Sequence, residues 1–291
     1  MNIFLTGGTG FIGRNLQELL SGHDIIAPSH QDLELTDPEA VSNFFRKHPI
    51  DVVIHSAVKP GHRNAKDPTQ LLHNNTLMFF NIARQASRFK KMIFIGSGAV
   101  YDHFHYKPKM KEEYFDVNVP TDDHGSSKYI CAKYIEKTEN ITELRVFGIF
   151  GKYEDYAIRF ISNAICKTLF DLPVTLRQNR LFDYLYVDDL APVIEHFINN
   201  KAMNSAYNVT PDKAIDLYSL AQKVVEVSGK DLPILVSESG YGVEYSGDNS
   251  RLKKEMPELT FTPIDEAIRQ LYDWYADNIH LINKEFLLVD K

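Results

Sequence analysis

Residues 2–13 read Asn-Ile-Phe-Leu-Thr-Gly-Gly-Thr-Gly-Phe-Ile-Gly. The apolar run Asn2–Thr6 predicts a short buried strand, and Phe11, Ile12, Leu16, Leu19 and Leu20 follow at helical spacing. Between them stand Gly7, Gly10 and Gly13. Glycine permits a tight turn and lets a diphosphate approach the backbone, while the start of the helix offers free N–H groups and a partial positive charge. A glycine triplet alone carries little weight. A triplet between a strand and a helix is the context a dinucleotide-binding turn requires.

Working outward, the same alternation continues. Asp24–Ala27 and Asp51–His55 read as strands, with Asp37 as N-cap and Pro38 as first residue of the helix between them. A long helix is predicted from about Pro68 to Arg88, a strand over Met92–Ile95, a helix from Gly125 to Thr138 and a strand over Thr142–Val146. Continuous apolar strands alternating with helices predict an α/β fold, a doubly wound parallel sheet of Rossmann type. Beyond Gly151, Pro173, Pro211, Pro233 and Pro257 break the pattern, and helices are expected near 157–170, 188–199, 217–228 and 263–278. This half suits a smaller α/β substrate lobe packed on the ends of the sheet. The expected division is 1–170 for the dinucleotide-binding domain and 171–291 for the substrate lobe, with 181–200 returning to the first.

Composition narrows the function. The 291 residues carry 32 Lys+Arg against 39 Asp+Glu, a net charge of −7 with no basic run, which argues against nucleic acid and anionic membrane as partners. No apolar stretch approaches the ~20 residues of a membrane helix. Cys131 and Cys166 make neither a disulfide framework nor a zinc site, and His103 and His105 without a nearby acidic cluster read as solvated, so no metal is expected. A reducing cytoplasm is the expected location.

Two further segments carry chemistry. Ile95-Gly96-Ser97-Gly98-Ala99-Val100-Tyr101 puts a serine at the C-terminal end of the fourth strand, and Pro120-Thr121-Asp122-Asp123-His124-Gly125-Ser126-Ser127-Lys128 opens a helix. With the glycine triplet, these segments resemble the extended short-chain dehydrogenase/reductases that modify nucleotide sugars. Leu144–Gly151 and Tyr184–Leu190 fit as well, so the resemblance runs from Met1 to about Leu190 and more weakly beyond.

The resemblance implies hydride transfer at a sugar carbon. Ser97 would hold the sugar oxygen, and Lys128 would bind the nicotinamide ribose and tune a neighbouring acid/base. In the family that acid/base is a tyrosine four residues before the lysine; here His124 stands there. Tyr129 and Lys133 have the same spacing, but choosing them discards the Gly-Ser-Ser match and crowds the next strand. Imidazole, with its ordinary pKa near ~6.5, suits proton transfer, and a lysine nearby favours its neutral form.

Gly98 and Ala99 replace the acidic pair used for dehydration, leaving reduction or epimerisation of a 4-keto sugar, nearest the GDP-fucose-synthase branch. A catalytically impaired dinucleotide sensor of the same fold is the alternative. Gly7, Thr9, Gly10, Phe11, Ile12, Gly13, Ser56 and Ala57 are the expected cofactor contacts, with Glu34 and Leu35 near the adenine. The second strand ends without a carboxylate, and Arg14, Ser29 and His30 suit a 2′-phosphate, so NADP(H) is expected over NAD(H). Arg159, Arg177 and Arg180 would grip the substrate diphosphate, with Tyr101 beside the sugar. Ile130, Tyr134 and Ile135 are expected in the interior of their helix packing. In the family that helix and the preceding long one build a dimer interface, which implies a homodimer.

Overall fold

The computed structural model describes residues 1–289. Its first half alternates as β1 (Asn2–Thr6), α1 (Phe11–Leu19), β2 (Asp24–Ile26), α2 (Pro38–Lys47), β3 (Val52–His55), α3 (Leu71–Ala83), β4 (Lys91–Ser97), α4 (Asp123–Ile135) and β5 (Ile141–Val146). The second half follows as β6 (Gly148–Phe150), α5 (Phe160–Leu169), β7 (Val174–Asn179), β8 (Leu181–Phe182), β9 (Tyr184–Tyr186), α6 (Leu190–Asn199) and β10 (Ala206–Val209). It continues with β11 (Ile215–Asp216), α7 (Leu217–Ser228), β12 (Ile234–Tyr241), α8 (Ser250–Glu255) and α9 (Ile264–Asp277).

Six strands form one parallel sheet in the order β2-β1-β3-β4-β5-β10. Because side chains alternate across a strand, each strand serves two cores. Ile3, Leu5, Ile54, Ile93 and Leu144 meet α1 and α6 on one face, through Leu16, Val193, Ile194 and Phe197. Phe4, Val53, Met92 and Phe94 meet α2, α3 and α4 on the other, through Phe45, Phe79, Ile82 and Ile135. The expected doubly wound sheet is therefore present. A second core joins α5, α7 and α9 through Ile165, Val224, Ile268 and Leu271.

The chain passes between these cores repeatedly. Helix α5, which the expected division puts in the first domain, packs on α7 and α9; α6, within the 181–200 segment expected to return to the first domain, covers the sheet, and β10, just beyond that segment, extends it. Next to the edge strand β10, β5 carries the charged pair Glu143 and Arg145, 0% and 2% exposed and bonded at 2.8 Å. Arg145 also donates to the Tyr101 hydroxyl (2.9 Å), which donates to Asn208 Oδ1 on β10 (2.6 Å).

Local signals explain most element ends. Asp37 caps α2 by accepting the N–H groups of Glu39 and Ala40, with Pro38 next. Helix α3 is shorter than expected, because Asp67 holds Thr69 in a local turn and Gln70 adopts a left-handed conformation (φ 53°) before Leu71. Of the three α4 residues expected inside, only Ile135 is. Ile130 and Tyr134 are 39% and 38% exposed, since they lie on the side of α4 turned away from the sheet. There Tyr134 packs edge-on to Phe80 of α3.

Candidate functional site

The C-terminal ends of β1, β3, β4 and β5 open into a single cleft of about 1860 Å³ between the two cores. That exceeds the ~300–1,000 Å³ of an ordinary small-molecule pocket, enough for two ligands side by side.

At its base the turn after β1 is shaped by contact distances that only glycine satisfies. Gly7 has φ +72°, and a Cβ there would lie 2.8 Å from the Ala57 nitrogen; one on Gly13 would lie 2.1 Å from the Gly7 carbonyl oxygen. Helix α1 starts at Phe11 with no side-chain cap and no acid in its first turn, so its first N–H groups and positive dipole end are left for an anion. Thr9, Gly10, Phe11 and Ile12 line the cleft here. Across the turn, Ser56 donates to the Thr6 carbonyl (2.7 Å) and the Ala57 N–H to Thr6 Oγ1 (3.1 Å). His55, buried beneath and bonded to Thr6 Oγ1 at 2.7 Å, has its pKa lowered to about 3, by burial first and then by the Lys128 charge. The turn fits a dinucleotide diphosphate on these grounds.

Farther along, His30, Glu34 and Leu35 line the cleft as expected, whereas Ser29 and Arg14 do not. The Ser29 hydroxyl donates to Asp32 Oδ2 (2.6 Å), and the Arg14 guanidinium lies 4.0 Å over the Tyr153 ring, so both groups are already engaged locally.

Past the end of β4 and at the start of α4, the cleft is lined by Ser97, His124 and Lys128. Asp122 caps α4 by accepting the Gly125 N–H (2.9 Å), and Gly125 lets the helix start against the Ala99 carbonyl, 2.9 Å from where a Cβ would stand. Lys128, one turn on, is buried; it donates to the Ile95 carbonyl (2.8 Å) with its ammonium 4.5 Å over Phe94. Ser97 Oγ accepts the Ala99 N–H at 3.2 Å. Tyr129 and Lys133 instead both bond Asp116 on the outer side of the helix, away from the cleft.

Burial, followed by the Lys128 charge, lowers the His124 pKa to about 4. The imidazole is thus neutral across physiological pH. Replacing Lys128 by methionine removes a like charge and is expected to raise the midpoint. The midpoint stays below the ordinary value because burial remains. NMR titration of the His124 ring in wild type and Lys128→Met checks this, and an unmoved midpoint would refute the coupling.

On the side of the second core, Arg159, Arg177 and Arg180 all line the cleft. Arg159 precedes α5, and Arg177 is strongly exposed and paired with Glu238 at 2.7 Å. Tyr101 is a correction. It is 1% exposed and lies outside the cleft lining, because its hydroxyl belongs to the Arg145–Asn208 network beneath it.

Several lining groups carry no signal of spacing in the sequence. Tyr106 and Tyr245 pack at a tilt with ring centroids 4.9 Å apart and, with Phe147, Phe182 and Tyr184, form an aromatic wall. Glu154, bonded by the Ser162 hydroxyl, has its pKa raised to about 8, chiefly by burial. Asp183, just behind the wall, accepts the Thr210 hydroxyl and the Gly247 N–H (2.7 Å); burial raises its pKa to about 6.

Comparison with known proteins gives the same picture. The family model described as "NAD dependent epimerase/dehydratase family" matches residues 3–210. The GDP-L-fucose synthase of Azorhizobium caulinodans is 40% identical over 90 residues, 30% of this chain and 29% of that one. The GDP-L-fucose synthase of Escherichia coli K12 is 22% identical over 260 residues, 78% and 81% of the two chains. A GDP-mannoheptose C4 reductase of Campylobacter jejuni, solved with NADP bound, superposes with TM-score 0.81 at 19% identity, covering 94% of this chain and 98% of that one. No helix among the described residues is long and apolar enough to cross a membrane. A glycine turn shaped to fit a diphosphate, a cleft large enough for a second ligand and a family match over most of the length agree: the chain belongs to the NAD-dependent epimerase/dehydratase family.

Proposed function

We propose that the protein is an NADP(H)-linked enzyme that reduces the keto group of a nucleotide-linked 4-keto sugar. The observation that carries this reading is that Ser97, His124 and Lys128 line the same cleft as the glycine turn. Gly7, Gly10, Gly13 and the start of α1 would hold the cofactor's diphosphate, and Lys128 its nicotinamide ribose. When bound, the reduced nicotinamide supplies hydride to the carbonyl carbon. The oxygen then needs a proton, and His124 would relay one from solvent: a minority imidazolium gives its proton to the oxygen and returns to the neutral imidazole that dominates at neutral pH, while Ser97 donates a hydrogen bond that fixes the oxygen.

Epimerisation beside the carbonyl would need a further acid/base at a neighbouring carbon; Ala99 next to Ser97 offers none, whereas His103 and Glu154 also line the cleft. The preference for NADP(H) is supported by the exposed His30 imidazole in the cleft and by the lack of an acidic residue on β2 after Asp24. The exposed Ile130 and Tyr134, with Phe80 beside them, support pairing of two copies through α3 and α4. Two free, buried cysteines fit a reducing cytoplasm.

The test is incubation of the purified protein with NADPH or NADH and a panel of 4-keto-6-deoxy and unmodified nucleotide sugars. Products are read by mass spectrometry and NMR. The expected result is NADPH-dependent conversion of a keto sugar to its alcohol. Cofactor binding without product across the panel would overturn the reading in favour of a sensor.

A further inference from the structure

Thr6, His55 and Phe94 stand side by side on adjacent strands, because Thr6 pairs with His55 between β1 and β3 and His55 with Phe94 between β3 and β4. Register partners share one face of a sheet, here the face covered by α2, α3 and α4. All three residues are buried. The imidazole lies against the Phe94 ring, with centroids 5.7 Å and planes 25° apart, and the Lys128 ammonium stands 4.5 Å over the same ring. A buried polar ring is costly unless it is bonded, and the bond here runs between His55 Nδ1 and Thr6 Oγ1 at 2.7 Å.

The threonine oxygen has a second partner, the Ala57 N–H (3.1 Å), while the Thr6 carbonyl accepts the Ser56 hydroxyl (2.7 Å). Ser56 and Ala57 line the cleft, and the Ala57 nitrogen stands 2.8 Å from where a Cβ on Gly7 would lie, so this short strip is pressed onto the glycine turn. A threonine side chain has few χ1 wells, and its methyl and hydroxyl are of similar size. Only the well that turns Oγ1 toward both His55 and the Ala57 N–H makes these bonds. With an apolar residue at 55 the methyl could turn there instead, and the Ala57 N–H would lose its acceptor.

We propose that His55, although outside the cleft lining, is a positioning residue for cofactor affinity: by selecting the Thr6 rotamer it fixes Ser56 and Ala57 where the dinucleotide passes the glycine turn. This rests on the reading of that turn as a dinucleotide site and not on the choice of keto-sugar reduction. Burial and the Lys128 charge keep the imidazole neutral, so it places no second positive charge beside the lysine. The bond to Thr6 holds whichever of the two partners carries the proton, since a neutral imidazole nitrogen is either a donor or an acceptor and a hydroxyl is both.

The test uses the full chain with NADPH as the probe. Thr6→Val, which keeps the shape and removes the oxygen, is expected to raise the Kd for NADPH about 5- to 10-fold, the scale of one lost hydrogen bond. His55→Leu is expected to match it, and the double variant to bind no more than about twofold weaker than either, as for two residues that act as one unit. His55→Asn, whose amide reaches Thr6 from the place of Nδ1, is expected to return to within about twofold of wild type. Val53→Ala, in the same core, removes neither bond; it is expected to lower the melting temperature and leave the Kd within about twofold. A wild-type Kd in Thr6→Val or His55→Leu, losses that multiply in the double variant, no recovery in His55→Asn, or an equal rise in Val53→Ala overturns the proposal. With ¹⁵N-labelled histidine, the Nδ1 signal of His55 is expected to move in Thr6→Val, and an unmoved signal overturns the link whether or not a cofactor binds. Wild type that binds NADPH but reduces no keto sugar ends the proposed function and leaves the Kd comparison to decide His55. Wild type that binds neither NADPH nor NADH ends both.

Discussion

Replacing His124 by alanine is expected to lower kcat for keto-sugar reduction by about 10²–10⁴-fold while leaving NADPH affinity within about twofold, because one positioned proton donor or acceptor contributes on that scale. The affinity is spared because the groups that would hold the diphosphate belong to the turn at residues 7–13, on a different element from His124. The size of the loss follows from how few alternatives exist nearby. Lys128 has its ammonium committed to the Ile95 carbonyl, and the Tyr245 ring is packed among Tyr106, Phe147 and Phe182. His124→Tyr is the informative companion. Its phenol is an acid through neutral pH, so a variant that keeps turnover should show a pH profile displaced upward from that of the imidazole. Steady-state kinetics across pH with equilibrium titration of NADPH measure both quantities. Full activity in His124→Ala would remove His124 from the chemistry.

The second large effect concerns stability. Arg145→Met is expected to destabilise the fold by about 3–5 kcal/mol, the usual cost of removing one partner of a buried ion pair. Glu143 is completely buried, and its Oε1 has no hydrogen-bond partner among the described residues, so losing Arg145 strips the carboxylate of its direct ion pair. The same change takes the Tyr101 hydroxyl's donor away and removes a guanidinium 4.4 Å from the Phe115 ring. At roughly 2–4 °C per kcal/mol for a larger domain, the melting temperature should fall by roughly 6–20 °C. Burial already raises the pKa of Glu143, and without Arg145 it rises further. An acid whose folded pKa exceeds its unfolded one binds more protons when folded, so its cost grows as pH rises. Thermal melts at pH 5 and pH 8 should therefore show the larger deficit at pH 8. The double variant Glu143→Leu, Arg145→Met should recover part of the loss, since an apolar pair leaves no buried charge.

The contrast between what the sequence made legible and what it did not is physical. Residues 2–13 revealed their role because the strand, the glycine turn and the helix are consecutive, and each local preference agrees with the fold. The same holds for Asp37 and Pro38 at the start of α2, and for His124 and Lys128, whose one-turn spacing on α4 puts both on one face. Tyr245 left no such trace. The rings it packs against, Tyr106, Phe147 and Phe182, sit far back along the chain, and no periodicity in the loop-rich segment around it points to them. Tyr101 failed for the complementary reason: adjacency to Ser97 suggested the cleft, but the short turn at Gly98–Tyr101 carries its ring down to Asn208. Arg14 and Ser29 had the right chemistry for a phosphate, but their nearest local partners, Tyr153 and Asp32, already hold them.

The repeated crossing of the chain between the two cores bears on how such a protein can be rearranged by evolution or by design. The nucleotide-binding part is not a cassette. A fragment ending at 170 would lack β10 and α6, leaving β5 as a bare sheet edge and its core face uncovered, while carrying α5 without the helices it packs against. Such an edge is a template for aggregation. Exchange of substrate specificity must therefore proceed by replacing residues along the cleft wall, in place, because no cut in the chain separates the half that binds cofactor from the half that would choose the sugar.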